Sequence, residues 1–427
     1  MKVYIETFGC KVNFYETSAL FRLFEQKGYE RTESLEDADI IVVNSCTVTE
    51  NADRKAKFFV NKVKREKPDA VLAMCGCFCQ AYPEKAAAFG ADVMYGTANK
   101  MSLPDAVEEF LRTRQKKEEI ISFDNAVFDQ TEADEMVDHT RAFLKIEDGC
   151  DRYCTYCTIP KARGPVRSMP LMEVKHMCQK FAEKGYKEIV LVGINISAYG
   201  RDIECDLGDA VLAACSVPGI VRVRLGSLES DILSPEMLEK LSSCDKFCPH
   251  FHLSLQSGCD RTLKRMNRHY DTAEFTAFCG KLRNAFDTPT FTTDIIVGFP
   301  GETEADFSES VAYCSGLGFI RTHVFPYSRR AGTVAANLPD QLSRIEKQSR
   351  AKIMTDATRQ RAASELKKFI GRKVRVILEQ HDEGGWHTGY TDRYIPAKVF
   401  GSNYKPNDLV TGTVTAFENG CAVVEPD

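Results

Sequence analysis

The sequence predicts an α/β protein in three parts: an N-terminal open α/β domain, a central partial (β/α) barrel of the TIM type, and a small antiparallel β-barrel at the C-terminal end. Three observations carry this. The opening third alternates strand-like and helix-like segments, six further strand-like runs from Ala142 onward are spaced by helix-length intervals, and the last stretch turns to short strands broken by Gly, Asn and Asp. At 427 residues the chain is also too long for a single hydrophobic core.

In the opening third, VYIETFG leads into a segment from Glu16 to Gly28 with Leu20, Leu23 and Phe24 at helical spacing, and ADIIVVNSC and AVLAMCGC read as buried strands of a parallel sheet. Cys10, Cys46 and Cys77 follow the ends of these three strands, at the edge where open α/β sheets bind ligands. The charged stretch 112–119 and the acidic run 124–138 read as a connection, so the first domain spans 1–115. AFLKIEDGC, EIVLVGI, VRVRLGS, HFHLSLQS, FTTDIIVGF and RTHVFPYS are the strands of a core over 140–343, with chemistry expected at their C-terminal ends. Residues 344–369 read as a basic helical connection; eleven Lys or Arg between 344 and 375 stand against Glu346, Asp356 and Glu365. KVRVILEQ, WHTGYTD, YIPAKVF, DLVTGTVTAF and CAVVEPD then build the barrel over 370–427.

A hydrophobic fraction of 43% and a charged fraction of 27% are those of an ordinary globular protein and exclude a disordered or fibrous chain. MKVYIETFGC reads as a strand rather than a secretory leader, and the longest apolar runs, such as IVLVGI, are strand-sized; no membrane span and a cytoplasmic location are expected. Seventeen cysteines in such a chain do not read as a disulfide framework, because the cytosol keeps thiols reduced. Metal or redox chemistry is the expectation for some of them. Cys178, Cys205, Cys215, Cys244, Cys248, Cys259, Cys279, Cys314 and Cys421 read as small core hydrophobes. A net charge of −5 gives no global attraction for nucleic acid, so such a partner must be held by a local patch.

The chemistry concentrates in DGCDRYCTYC, which places cysteines at 150, 154 and 157. Three thiolates from one short loop can each grip a different iron of a cubane and leave the fourth iron open to a ligand. A zinc knuckle would need a fourth nearby Cys or His, and TIPKARGPVRS supplies neither.

This spacing, with the aromatic Tyr156 before the last cysteine, resembles the radical S-adenosylmethionine superfamily. The resemblance implies a four-iron, four-sulfur (4Fe–4S) cluster on Cys150, Cys154 and Cys157, with S-adenosylmethionine on its open iron and reductive cleavage to a 5′-deoxyadenosyl radical. Closer similarity covers nearly the full chain: TFGCKVNFYET, VNSCTVTENADRKA, CGCFCQAYPE, FHLSLQSGCD, KRMNRHY, TDIIVGFPGET and HVFPYSRRAGT resemble the methylthiotransferase family, and TGYTDRYIPAKV its RNA-binding TRAM-like module. The family implies a second 4Fe–4S cluster on Cys10, Cys46 and Cys77 that presents a methylated sulfur. CGCFC offers Cys75, Cys77 and Cys79, which an extended segment would point the same way; the family pattern, with the ligand directly after glycine, selects Cys77. GINISAYG reads as a plain Gly-rich turn or, as the superfamily implies, as a segment whose Gly193 and Asn195 abut the methionine part of the cofactor, with Tyr156 also at the cofactor. Ser227, Glu229 and Gln256 would meet ribose, adenine or substrate, or serve as ordinary loop caps. Asp294 reads equally as a structural hydrogen bond or a substrate contact, and His250, His252, His269 and His323 as structural.

The family acts on adenosine beside a tRNA anticodon or on a ribosomal protein side chain. GCKVN and RGPVRS resemble the branch for N6-threonylcarbamoyladenosine; the isopentenyladenosine branch has Gln and Met in place of Lys11 and Val12, and the protein-modifying branch Pro and Lys. The implied partners are the anticodon stem-loop of tRNA and an electron donor such as flavodoxin or ferredoxin. Arg163, Arg167, Lys373, Arg375, Arg393 and Lys398 are the expected RNA contacts, with Tyr394 nearby. Arg163, Arg167 or Arg329 is the expected cationic partner of a carboxylate-bearing base.

Overall fold

The structure is a computed structural model that describes residues 1–427 except 125, 130, 131, 134, 137–139, 231, 232, 382, 383 and 402. The expected connection over 124–138 therefore lies partly outside the described residues.

The N-terminal part contains β1 (Lys2–Thr7), α1 (Lys11–Gln26), β2 (Glu30–Arg31), β3 (Ile40–Ser45), α2 (Glu50–Glu66), β4 (Val71–Gly76), α3 (Cys77–Ala81), α4 (Pro83–Ala87), β5 (Val93–Tyr95), α5 (Leu103–Thr113) and β6 (Lys117–Glu119). The strands form one parallel sheet in the order β2-β1-β3-β4-β5-β6. β3 and β4 are buried on both faces, which is why IIVVNS and VLAMCG are near-continuous apolar runs rather than alternating ones. The chain reverses its winding between β1 and β3, and the crevice at that switch point is where Cys10 and Cys46 emerge. The charged stretch 112–119 is not a connection: it ends α5 and adds β6 as an edge strand, because parallel pairing with β5 uses only backbone groups and is indifferent to the charge of the side chains.

The central part follows with β7 (Ala142–Lys145), β8 (Glu147–Asp148), α6 (Ile159–Arg163), β9 (Arg167–Ser168), α7 (Leu171–Glu183), β10 (Glu188–Val192), α8 (Leu207–Cys215), β11 (Arg222–Leu225), β12 (Ser227–Leu228), α9 (Pro235–Ser242), β13 (His250–Gln256), α10 (Asp260–Arg265), α11 (Thr272–Ala285), β14 (Thr290–Val297), α12 (Glu304–Gly316) and β15 (Arg321–Pro326). Two parallel sheets, β11-β10-β7 and β12-β13-β14-β15, meet where Gly226 separates β11 from β12, and a bridge from Val223 to Phe247 carries the arc across the break. The result is an open partial barrel whose first strand is β7 and last is β15. Cys215 at the end of α8 and Cys244 after α9 form a disulfide, against the expectation that both are free core thiols; the side-by-side packing of α8 and α9 brings them together.

A long helix, α13 (Arg344–Lys367), leads to β16 (Lys373–His381), β17 (Trp386–Thr391), β18 (Pro396–Phe400), β19 (Leu409–Glu418) and β20 (Cys421–Pro426). These close in the order β16-β17-β18-β20-β19, antiparallel except for the β18–β20 pair. Closure removes the edges of a sheet too small to protect them otherwise. Among the described residues no helix is long and apolar enough to cross a membrane.

The small barrel docks on the strand-start end of the partial barrel. Arg222 donates to the carbonyls of Tyr390 and Arg375, and Arg224 to those of Asp392 and Thr391, while Glu188 pairs with both arginines. Burial works to raise the Glu188 carboxyl, but Arg224, Arg222 and Arg141 outweigh it and hold it at about 2. The folded value lies below the unfolded carboxylate value of about 4.3, so this stabilisation is complete above that pH and is lost as pH falls toward 2. Glu188→Gln is expected to cost about 3–5 kcal/mol at neutral pH by leaving buried guanidinium charge uncompensated. It should also flatten the acid limb in urea unfolding between about pH 2 and 5; a variant profile parallel to wild type would refute this.

Candidate active site

Each cysteine of the first triad is delivered by a strand-to-helix turn. Cys10 caps α1 in extended conformation, Cys46 follows β3, and Cys77 opens α3. Gly76 makes the last turn possible: its φ is +100°, and a Cβ there would lie 2.5 Å from the Ser45 carbonyl oxygen. This turn overturns the expectation that Cys75, Cys77 and Cys79 point the same way. Cys75 stays in the sheet near Asn44 and Cys79 turns back to Ser45, both buried, while Cys77 faces the central domain. Cys46 is buried, and burial, with Cys77 and Cys10 adding to it, pushes its thiol up to about 12, whereas Cys10 is exposed at the rim of the triad.

The second triad lies on the loop after β8. Gly149, at φ +96°, has no room for a Cβ, which would meet the Pro165 carbonyl at 1.8 Å, and Cys150 N–H donates to Gly164 O at 3.0 Å. Arg268 Nη1 lies 3.2 Å from Cys154 Sγ, and the same guanidinium pairs with Glu229 and donates to Ser254 O. Burial pushes the Cys150 and Cys157 thiols up to about 12, so a metal held there would have to supply the positive charge that keeps them as thiolates.

A fully buried charge network joins the two triads. Arg163, 0% exposed at the end of α6, donates from Nε to Cys77 Sγ at 3.2 Å, from Nη2 to Asn13 Oδ1 at 2.7 Å and Glu16 Oε2 at 3.0 Å, and from Nη1 to Glu16 and Asp148. Lys145 binds Glu16 and Asp148 at 3.0 Å each, and Lys100 adds to Glu16. Burial alone would raise the Glu16 carboxyl, but Arg163, Lys100 and Lys145 hold it well below the usual range. Asp148 stands two residues before Cys150, so one network fixes Cys77 and the other cysteine loop relative to each other.

The donor set suits cubanes better than single ions. Among the described residues the close-set trio of ligating side chains is Glu132, Glu173 and His176, whose ligand atoms lie within 4.8 Å of one another, and Glu132 is already paired with Arg22 and Lys180. Neither cysteine triad is that close-set. Three thiolates on one tetrahedral zinc would sit roughly 3.8 Å apart from Zn–S bonds of about 2.3 Å. Beside the second triad are orphaned polar groups suited to a zwitterionic cofactor: both amide atoms of buried Asn195, and Glu147 Oε1, have no partner, while Glu147 Oε2 accepts the Asn195 N–H at 2.7 Å. Gly193 closes this cradle, since a Cβ there would meet Glu147 Oε2 at 2.5 Å. Burial raises the Glu147 carboxyl well above its ordinary value.

The remaining expected contacts divide. Tyr156 packs against the cluster of Met266, Phe299, Tyr327 and Ala335; Ser227 is exposed on β12; Gln256 ends β13 at φ +68°. Arg163 and Arg167 are not RNA contacts and do not await a substrate carboxylate: both are buried, the first in the network above, the second donating to the carbonyls of Arg163 and Pro165. Arg393 is likewise turned inward, donating to Thr288 O and Asp287 O in the docking interface. Arg329 spends its Nε on Ala336 O. Lys373 is exposed and paired with Asp427, Arg375 is half-buried, and Lys398 lies 4.3 Å over the Trp386 ring beside Glu418. The histidines read as structural partly line the barrel interior: His250 and His252 both bond Thr292 Oγ1, and His252 pairs with Asp294 at 3.3 Å. Glu147, Arg268 and Lys100 went unnoticed in the sequence. The period-2 row His250, His252, Ser254, Gln256 on a barrel strand was the available signal of a polar interior.

A family model described as Radical SAM superfamily matches residues 144–314, and one described as uncharacterized protein family UPF0004 matches residues 2–96. The radical S-adenosylmethionine methyltransferase TsrM from Kitasatospora setae has the same fold, with a TM-score of 0.53 over 78% of this chain and 77% of that one at 12% identity. The partial barrel with its three-cysteine loop therefore defines a radical S-adenosylmethionine enzyme. Threonylcarbamoyladenosine tRNA methylthiotransferase MtaB of Bacillus subtilis is 36% identical over 92% of this chain and 89% of its own, and MtaB of Thermotoga maritima 34% identical over 94% and 92%. The tRNA-2-methylthio-N(6)-dimethylallyladenosine synthase of Clostridium perfringens is 34% identical over 88% and 86%. The chain belongs to the radical S-adenosylmethionine methylthiotransferase family, whose cofactors are S-adenosylmethionine and two 4Fe–4S clusters.

Proposed function

We infer that the protein transfers a methylthio group to C2 of N6-threonylcarbamoyladenosine beside the anticodon of tRNA. The observation that carries this is the joining of two cysteine triads by one buried network, which suits a reaction needing a radical source and a sulfur donor within reach of one carbon. Cys150, Cys154 and Cys157 would hold the cluster that binds S-adenosylmethionine, with Glu147, Gly193 and Asn195 around the methionine part; Cys10, Cys46 and Cys77 would hold the second cluster. The bound cofactors supply the radical and the sulfur, which no side-chain acid or base can do at neutral pH. The protein's own residues set distance and exclude water: Arg163 braces the Cys77 side, Arg268 the Cys154 side.

RNA binding is supported by α13, where Arg344, Lys352, Arg359 and Lys367 are exposed with no acid partner among the described residues. On the small barrel, Lys373 is exposed beside Asp427 and Lys398 lies over Trp386 beside Glu418. A tRNA substrate implies a cytoplasmic site of action, with a flavodoxin or ferredoxin as electron donor. Relatives for threonylcarbamoyl- and dimethylallyladenosine are nearly equally similar, so the substrate reading rests on GCKVN around Cys10 and RGPVRS after the second triad, which resemble the threonylcarbamoyladenosine branch. Anaerobic incubation of reconstituted protein with reductant, S-adenosylmethionine and threonylcarbamoyl-modified tRNA, read by nucleoside mass spectrometry, is expected to show a methylthio mass gain. Gain on isopentenyladenosine alone would reassign the substrate.

A further inference from the structure

Lys11 follows Cys10 directly and opens α1, the helix that packs on β7 at the open side of the partial barrel. Its side chain is half-buried and has neither a hydrogen-bond nor an ion-pair partner among the described residues. Every nearby acid is already engaged: Glu188 by Arg222 and Arg224, Glu379 by Arg141 at 2.7 Å, and Asp294 by His252. The charged groups within electrostatic reach of the ammonium are Tyr394, Arg141, Arg224 and the neighbouring Cys10, and its charge also bears on His250 and His323. His323 and Tyr394 line a cavity of about 760 Å³ between the starts of β14 and β15, α13 and the loop after β17. Arg321 and Arg359 also line it, and no acidic residue does. A half-buried cation within reach of further cations gains when an anion arrives.

On the reading above, the adenine carbon that is modified comes up to the Cys10, Cys46 and Cys77 triad. In adenine, C2 and the carbon bearing N6 are both bonded to N1, so an N6 substituent leaves from the same edge of the base as the reacting carbon. A threonylcarbamoyl arm carries a carboxylate there; a dimethylallyl arm carries only carbon and would leave the Lys11 charge unpaired. We propose that the Lys11 ammonium is the counter-ion for the carboxylate on the N6 arm of the target adenosine, and thereby the residue that selects an anionic over an apolar arm. This rests on the substrate reading in the preceding subsection.

The test is fluorescence anisotropy at fixed salt with the full-length, cluster-loaded protein and three anticodon stem-loops, carrying threonylcarbamoyladenosine, its methyl ester, or unmodified adenosine. Wild type is expected to bind the acid about ten-fold tighter than the ester, the range of one charge-assisted hydrogen bond. Lys11→Met should bring that ratio to about one while binding to ester and unmodified RNA is unchanged, and Lys11→Arg should restore part of it. An unchanged ratio in Lys11→Met places the carboxylate elsewhere and overturns the proposal. Equal weakening toward all three RNAs, with a shallower salt dependence, assigns Lys11 to a phosphate and overturns it too. If Lys11→Met loses iron, the wild-type and Lys11→Arg ratios decide. A wild-type ratio near one overturns the proposal, and whether methylthio product still forms on the acid then says separately if the substrate reading survives.

Discussion

Replacing Cys150, Cys154 or Cys157 by Ala is expected to abolish both 5′-deoxyadenosine formation and methylthio product, whereas replacing Cys10, Cys46 or Cys77 spares cleavage and abolishes product. The split follows from which element carries each thiol. The first set shares one loop at the strand ends of the partial barrel, beside the orphaned Asn195 amide and Glu147 carboxyl. The second set arises from three separate turns of the N-terminal sheet and meets the first through Arg163 and its partners and through Thr158, which donates to Thr47 O. Loss of a direct ligand should exceed the roughly 10–100-fold cost of changing an outer partner. Deoxyadenosine and nucleoside mass spectrometry on the same samples read both activities. Wild-type product from a Cys10, Cys46 or Cys77 variant would remove the second cluster from the reading.

Arg163→Met is expected to be the most damaging change outside the cysteines. It deletes donors to Cys77, Asn13, Glu16 and Asp148 in a site without water access, and breaking a buried pair typically costs about 3–5 kcal/mol. Lys100 and Lys145 still neutralise Glu16, so the damage should fall on the junction between domains rather than on either core. Urea unfolding should show the N-terminal part separating earlier, and iron analysis a loss from the Cys10, Cys46 and Cys77 set with the other set retained. Arg163→Lys, which keeps charge but loses the fork of donors, should fall between. Unfolding and iron content both at wild-type values would mean the network contributes nothing to docking.

Much of this protein was legible from local pattern. Buried parallel strands announce themselves as continuous apolar runs, so β3, β4 and the six long barrel strands could be placed, and three cysteines in one loop expose their chemistry because spacing alone puts them together. Cys77 could be preferred to its neighbours only through family resemblance; in the structure the Gly76 turn leaves Cys75 in β4 beside Asn44 and, one helical turn on, directs Cys79 back to Ser45. Edge strand β6 was invisible because its pairing is a backbone property that charged side chains neither favour nor forbid.

The sequence by itself determined the fold class, the three-cysteine loop and the family. Tertiary structure alone decided what each charge does. Arg163, Arg167 and Arg393 look like RNA contacts in a linear reading because a guanidinium near a motif carries no label of its surroundings; folding puts carboxylates and carbonyls around each and removes them from solvent or from reach. Lys11 is the converse, a cation in an ordinary-looking turn that folding leaves among other cations without an acid. The physical reason is the same in both cases: apolar periodicity is a local property of the chain, whereas the free energy of a charge is set by partners brought together from distant sequence.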